Sequence, residues 1–363
     1  MPELARNGSR SNVSAMTLLD TLGVSLPIVQ APMAGTSTPA MAAAVSNAGG
    51  LGSLGVGGTD AAGAAAMIDA LAALTDRPFN VNLFVHRTPV ADAAREAGWI
   101  EALAPLFASF GAQPPSGLRP IYTSFRDDPA MLRLLLDRRP RVVSFHFGLP
   151  DADKVAALKA AGCALISTAT SLDEARAAKA AGMDAVVAQG FEAGGHRGMF
   201  DPDAPDDQLG AMVLTRLLVR DGGLPVIAAG GMMDGAGVRA ALDIGAAAAQ
   251  LGTAFVACDE SAADAAYRAA LAGEAARHTV MTRAVSGRPA RSLPNRFTAW
   301  GEGDTPVMPD YPMVYDAAKA LNAAAKAAGE TGFGAMWAGQ GAPLSRPMGA
   351  AALVALLARE AGL

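Results

Sequence analysis

Gly194-Gly195-His196-Arg197-Gly198 puts an imidazole among glycines, which leave the ring accessible and let backbone N–H groups approach a ligand. A histidine so placed, with a pKa near neutrality, suits proton transfer, and His196 is the leading catalytic candidate. The competing reading is a structural histidine bonded to a nearby carbonyl. His146 illustrates it: the residue alternates with Phe145 and Phe147, faces either the interior or the outer helices, and is assigned a supporting place. His86 and His278 have no comparable surroundings. Two glycine-rich runs, AAGGMMDG at 228–235 and QLGT at 250–253, each lead into a helical stretch. Amides at such a turn, with the Thr253 hydroxyl, are donors for a phosphate. Tyr311, Tyr315 and Lys319 recur every four residues and share one helical face. By spacing alone that face binds an anion or packs tyrosines on the core, and Tyr122 is equally open.

These candidates need a scaffold. Short β-branched or apolar runs alternate with alanine-rich stretches of helical period, the βαβα rhythm of a parallel sheet. Runs at 27–33, 51–56, 79–84, 142–147, 164–168, 185–189, 225–229 and 247–252 read as strands, with helices such as 171–181 and 235–244 between them. Eight such units close a (β/α)8 TIM barrel, and the candidate residues fall just after the strands, where barrels place function. A ninth strand-like run, 118–125, falls in an insertion. The division expected is barrel over 1–85 and 141–258, an insertion over 86–140 joining a smaller, mainly helical domain over 259–333, and a return to the barrel over 334–363. The opening MPELARNGSRSN reads as a disordered lead-in.

Apolar residues make up 51% of the 363 and charged residues 17%, which excludes disorder for most of the chain. A net charge of −5 without Lys/Arg clusters argues against nucleic acid or an anionic membrane and for a small-molecule partner. Cys163 and Cys258 lie in apolar stretches, as buried thiols rather than a disulfide or metal site. With no signal-like segment and no apolar run of membrane-spanning length, the expected location is the cytoplasm.

The ordered runs QAPMAG at 30–35, VNLF at 81–84, SFHFGLP at 144–150, AQGFEAGGHRG at 188–198, AAGGMMDG at 228–235 and QLGTAF at 250–255 resemble nitronate monooxygenases, once called 2-nitropropane dioxygenases. The Tyr311, Tyr315, Lys319 spacing is similar to that of the class acting on propionate 3-nitronate. The resemblance implies FMN, with Pro32, Met33, Asn82, Gln189, Gly194, Gly231, Gln250, Leu251, Gly252 and Thr253 in contact with it, the last five around the phosphate. It implies His196 facing the substrate, a pocket lined by Tyr122, Tyr311, Tyr315 and Lys319, and a run MWAGQG at 336–341 returning to the flavin. The implied reaction is oxidation of a nitronate by O2 to a carbonyl compound and nitrite, with His196 as the base if a neutral nitroalkane is used. Because the AGGH loop alone also resembles flavin-dependent reductases, an NAD(P)H-dependent flavin reductase of enoyl thioesters or quinones is the alternative. A cofactor-free isomerase or aldolase binding a sugar phosphate is a more distant one.

Overall fold

The computed structural model describes residues 16–363, so the lead-in MPELARNGSRSN lies outside the described residues. In chain order the strands are β1 (Ile28–Gln30), β2 (Gly52–Gly55), β3 (Phe79–Phe84), β4 (Val142–His146), β5 (Ala164–Ala169), β6 (Ala185–Gln189), β7 (Gly195–His196), β8 (Val226–Ala229), β9 (Ala248–Leu251), β10 (Val280–Thr282) and β11 (Ala290–Ser292). Eight of them form one parallel sheet in the order β1-β9-β8-β6-β5-β4-β3-β2. A parallel bridge between Val29 and Leu51 brings the two ends together. The buried Gln30 side chain completes that seam, its Oε1 accepting the Ser53 N–H at 2.8 Å and its Nε2 donating to Ser37 Oγ at 2.8 Å. The sheet, with helices alternating between its strands, is the expected (β/α)8 TIM barrel.

Period-two alternation sorts the strand residues into two layers. Val81 and Leu83 of β3, Val143 and Phe145 of β4, and Val186 and Ala188 of β6 face outward into the layer beneath the helices. Facing inward, Val142, Ala164, Ile166, Val187, Ile227 and Ala248 fill the barrel, with Leu18 and Leu22 of the helix Leu18–Leu22 packed against them. Near the C-terminal end several inward positions are polar: Asn82, one inward step before Phe84 on β3, and His146, Thr168, Gln189 and Gln250. His146 therefore faces the interior, which resolves its two readings. At β2 a glycine is required, since a Cβ on Gly52 would stand 1.9 Å from the Ala42 carbonyl oxygen of the helix Pro39–Asn47.

The segments outside the barrel share a core of their own. Trp99, Leu103 and Phe107 of the helix Ala93–Ser109 pack with Val314, Ala317 and Leu321 of the helix Met313–Ala327. This part is not helical throughout: β10 and β11 form an antiparallel sheet that continues onto β7, pairing Ala290 with His196 and Arg291 with Gly195. The strand expected at 118–125 does not form. Pro120 has no N–H to give a ladder, the Arg119 N–H goes to the Asp316 carboxylate, and Phe125 begins the 3-10 helix Phe125–Asp127. Both cysteines are free and buried.

Candidate active site

A cavity of about 500 Å³ opens at the C-terminal mouth of the barrel. The structure brings together there Pro32, Met33, Asn82, Tyr122, Gln189, Gly194, His196, Gly231, Gln250, Gly252, Thr253, Tyr311, Tyr315 and Lys319. Leu251 is the exception. Period two turns its side chain outward, where it is buried beside Met41 and Phe255, while its carbonyl accepts the Ala31 N–H.

The loop after β6 is held at fixed points. Gln189 Nε2 donates to the His196 carbonyl at 2.9 Å and Gln189 Oε1 accepts the Gly198 N–H at 2.7 Å, so this side chain is spent on positioning the loop. Arg197, 1% exposed, donates to the carbonyls of Gln189 and Gly190 and pairs with Asp206 through Nε and Nη2 at 2.8 and 2.9 Å. Across the cavity, Gly194 and Gly339 approach so closely that a Cβ on Gly194 would stand 2.5 Å from the Gly339 nitrogen. The Gly339 N–H donates to Thr253 Oγ at 2.9 Å and the Gln340 N–H to the Glu192 carbonyl at 2.9 Å, fastening the 336–341 run over the mouth.

His196 is half-buried on the cavity wall, and its ring is not the near-neutral one expected of it. Its ring lies 5.1 Å from Trp337 and 5.5 Å from Phe147, and Nε2 is 2.9 Å from Ser286 Oγ. Burial, then the neighbouring His146 and Arg288, push its pKa down to about 3. His146, bonded to Thr168 Oγ1 and the His196 carbonyl, is lowered to about 4 chiefly by burial, as is the buried His86. All three are neutral in the folded state at ordinary pH. Because the unfolded chain regains values near 6.5, it binds more protons than the folded one as pH falls below that point, and stability drops with it. A fully buried imidazole can remove up to ~1.4 kcal/mol per pH unit, a limit that His86 approaches and that His146 and His196, partly exposed to the cavity, fall short of. Urea midpoints are therefore expected to fall between pH 6.5 and 5, above most carboxylate titration, and His86→Asn should flatten that slope. A midpoint unchanged across this window would refute the histidine origin.

Tyr311 does not sit on the helix with Tyr315 and Lys319. Pro312 is the N-cap of the helix Met313–Ala327, and a proline with no N–H is tolerated there and not within it. The three still converge. The Tyr122 ring lies 6.3 Å from Tyr311 and 5.9 Å from Tyr315, and Lys319 Nζ lies 4.8 Å over Tyr122 and 5.3 Å from the Tyr315 ring centre. Burial raises the Tyr122 phenol to about 12 and the Tyr311 and Tyr315 phenols further, so all stay protonated as donors.

Among the described residues no carboxylate lines this cavity, and Lys319 is its single formally charged side chain. The phosphate reading needs one correction. At the helix Gly235–Asp243 two of the first-turn amides are already taken, the Gly237 N–H by Asp234 Oδ1 and the Gly235 N–H by Glu360 Oε2, both at 2.9 Å. The helix after β9, Thr253–Val256, is only four residues long. The donors left over are loop amides: the N–H groups of Gly231, Met232 and Gly252 have no acceptor among the described residues. Gly231 reaches its position at φ +69°, which glycine adopts without strain. Three further residues line the cavity, two of them in runs the sequence had placed at the mouth and one, Tyr267, that sequence reasoning missed. Ser144 accepts from Asn82 Nδ2 at 2.9 Å, Tyr267 donates to the Trp337 carbonyl, and Trp337, in the 336–341 run, reaches the His196 ring. Tyr267 carried no signal, since it sits in an alanine-rich helix.

A mouth cavity free of carboxylates, at the C-terminal end of a parallel eight-stranded barrel, lies where barrel enzymes place their active sites. A family model described as nitronate monooxygenase matches residues 15–360. The chain is 62% identical over 344 residues to a nitronate monooxygenase of Paraburkholderia phytofirmans, covering 94% of each. It is 57% identical to a nitronate monooxygenase of Pseudomonas aeruginosa, covering 93% of this chain and 97% of that one. Among solved structures, a nitroalkane oxidase from Streptomyces ansochromogenes superposes with a TM-score of 0.85 at 42% identity, covering 95% of this chain and 97% of that chain. The chain belongs to the nitronate monooxygenase family and is an oxidoreductase of that family.

Proposed function

We propose that the protein is an FMN-dependent enzyme that oxidises alkyl nitronates, propionate 3-nitronate foremost, with O2 to a carbonyl compound and nitrite. One observation supports this reading: the charge of the cavity lining suits an anion. No carboxylate lines the cavity to repel an anion, its single charged side chain is a lysine, and its histidine is neutral at ordinary pH. A neutral nitroalkane needs a base; a nitronate needs only to be held.

The residues present fit FMN. The unpaired amides of Gly231, Met232 and Gly252, with the Thr253 hydroxyl, would hold its phosphate, and the side chain of Gln250 adds an amide without a protein partner. Pro32, Met33, Asn82 and Gly194 would flank the ring, Gln189 would act by fixing the loop, and Leu251 would contribute backbone alone. When bound, FMN supplies the acceptor for the nitronate's electrons and passes them to O2. The chain's own work is placement. His196, neutral and within 2.9 Å of a serine hydroxyl that can accept or donate, can present a ring N–H to the nitro oxygens. Tyr122, Tyr315 and Lys319 would bind the remote carboxylate, each charge-assisted bond contributing about 1.5 to 3 kcal/mol, and the Tyr311 ring would wall the pocket. We place the protein in the cytoplasm, in keeping with two free thiols; among the described residues no helix is long and apolar enough to cross a membrane.

The test is one cuvette. A visible spectrum with flavin bands near roughly 370 and 450 nm, rapid oxygen uptake with propionate 3-nitronate, and no loss of NADH support the reading. A yellow protein that ignores the nitronate and consumes NADH would move it to the reductase alternative. Lys319→Met should raise KM for propionate 3-nitronate about ten- to a hundredfold while leaving an uncharged nitronate nearly unaffected. An unchanged preference between the two would remove Lys319 from carboxylate binding.

A further inference from the structure

Behind Tyr311 lies a second cavity, of about 430 Å³, walled by Arg87, Arg95, Arg283, Arg288, His86 and Tyr311. Tyr311 lines both cavities and so separates them. The arginines divide into two kinds. Arg87 pairs with Asp203 at 3.0 Å and Asp310 at 3.3 Å, Arg283 with Asp203 at 2.7 Å, and Arg95 with Asp92 at 3.2 Å. These side chains are 40 to 51% exposed, a charge-balanced rim. Arg288 is 1% exposed and has no carboxylate partner among the described residues. Its guanidinium lies 4.2 Å over the Phe147 ring and one nitrogen donates to the Met199 carbonyl.

Three buried polar atoms around this cavity have no hydrogen-bond partner: Arg288 Nε, His86 Nε2 and the Tyr311 hydroxyl. The rings of His86 and Tyr311 are 5.0 Å apart, and Tyr311 is 5.4 Å from the Phe147 ring on which Arg288 rests, so the three groups form one cluster. Burying an unpaired cation and leaving buried donors unsatisfied are among the costliest arrangements a fold can keep. Their convergence on one cavity points to a ligand that pairs with them.

We propose that the second cavity is a binding site for a small monovalent oxyanion of the carboxylate or nitrite type, seated against Arg288 and the Tyr311 hydroxyl. The charge follows from the count of partners: with the rim arginines already paired, one cation is left, and it matches one negative charge. The shape follows from the guanidinium, whose planar fork suits a planar oxyanion better than a sphere. His86, kept neutral by burial, adds a donor or acceptor without adding charge. The site stands on this geometry whatever reaction the first cavity performs; only nitrite as the occupant rests on the proposed function, being its product.

The holoenzyme provides the test. Crystals soaked in sodium bromide are expected to show an anomalous peak against the Arg288 guanidinium, on the far side of Tyr311 from the barrel mouth. Calorimetry with sodium nitrite and sodium formate should show saturable binding that weakens at least tenfold in Arg288→Met. His86→Phe supplies a second variant if the first does not fold. Binding of nitrite over formate makes the reaction product the occupant, and the reverse preference makes it a carboxylate. Bromide confined to the first cavity, or binding equal in wild type and both variants, would overturn the site.

Discussion

Replacing His196 by asparagine is expected to lower turnover of a neutral nitroalkane by about 10²- to 10⁴-fold, the range of a lost general base, and turnover of the corresponding nitronate by only about tenfold, the loss of one hydrogen bond. The asymmetry follows from what each substrate asks of the ring. A nitroalkane must lose a proton in the site, and among the residues lining the cavity His196 is the neutral acceptor nearest the tyrosine and lysine cluster. A nitronate has already lost it and asks only for a donor, which an asparagine amide partly replaces. Because the folded pKa is about 3, the base form is fully populated at neutral pH, and kcat/KM for the nitroalkane should not fall on the acid side until well below pH 6. Measuring both substrates from pH 5 to 8 separates the roles. Equal losses for the two would leave His196 as a donor alone, and an acid limb near pH 6.5 would show that the folded ring is not held neutral.

Arg197→Met should destabilise the fold by about 3 to 5 kcal/mol, the cost of removing one partner of a buried ion pair. Methionine fills the space and keeps the contact with Phe191, over whose ring the guanidinium lies at 5.5 Å, but it strips Asp206 of its partner and takes a donor from the carbonyls of Gln189 and Gly190, of which Gly190 keeps the Ala193 N–H. Urea unfolding measures the loss. The double change with Asp206→Asn should recover part of it, because the stranded carboxylate is then gone. A change below about 1 kcal/mol would mean that the loop is held by β7 and Gln189 instead, and that the ion pair is incidental.

The barrel was legible because its strands obey two simple rules at once. Runs such as 142–147 and 185–189 are β-branched or apolar and are followed by glycine or a turn, and burial on both faces makes them nearly continuous. Their ends were less so. The first strand ends at Gln30 and not at 33, because Pro32 has no N–H and the 31–33 stretch bends into the mouth. The run 118–125 shows where hydrophobicity misleads: Leu118 and Phe125 are buried in different cores, and the chain between them crosses from one to the other without pairing. Strands of two or three residues, such as β7, β10 and β11, are too short for periodicity to register. In the site, residue types were easier than states. Glycine spacing and order gave away the loops, and helical spacing gave away Tyr315 and Lys319. Nothing local in the sequence announces that His196 has His146 and Arg288 beside it, so its expected pKa was that of an isolated ring. Arg288 was invisible for the same reason: its lack of a partner is a property of the fold.

The fastening of the 336–341 run over the mouth also sets an order on biosynthesis. All eight barrel strands have been made by residue 251, yet the amide that engages Thr253 comes from Gly339, and the carboxylate that caps the Gly235 helix comes from Glu360. The helix Ala350–Glu360 then packs Leu353, Val354 and Leu357 into the same layer as Met41 and Val45 near the start of the chain. A nascent chain still tethered to the ribosome at that stage can build its strands but not its finished mouth. On the proposed reading, a cofactor seated in that mouth would be held only once the segment reaching Glu360 has joined the fold.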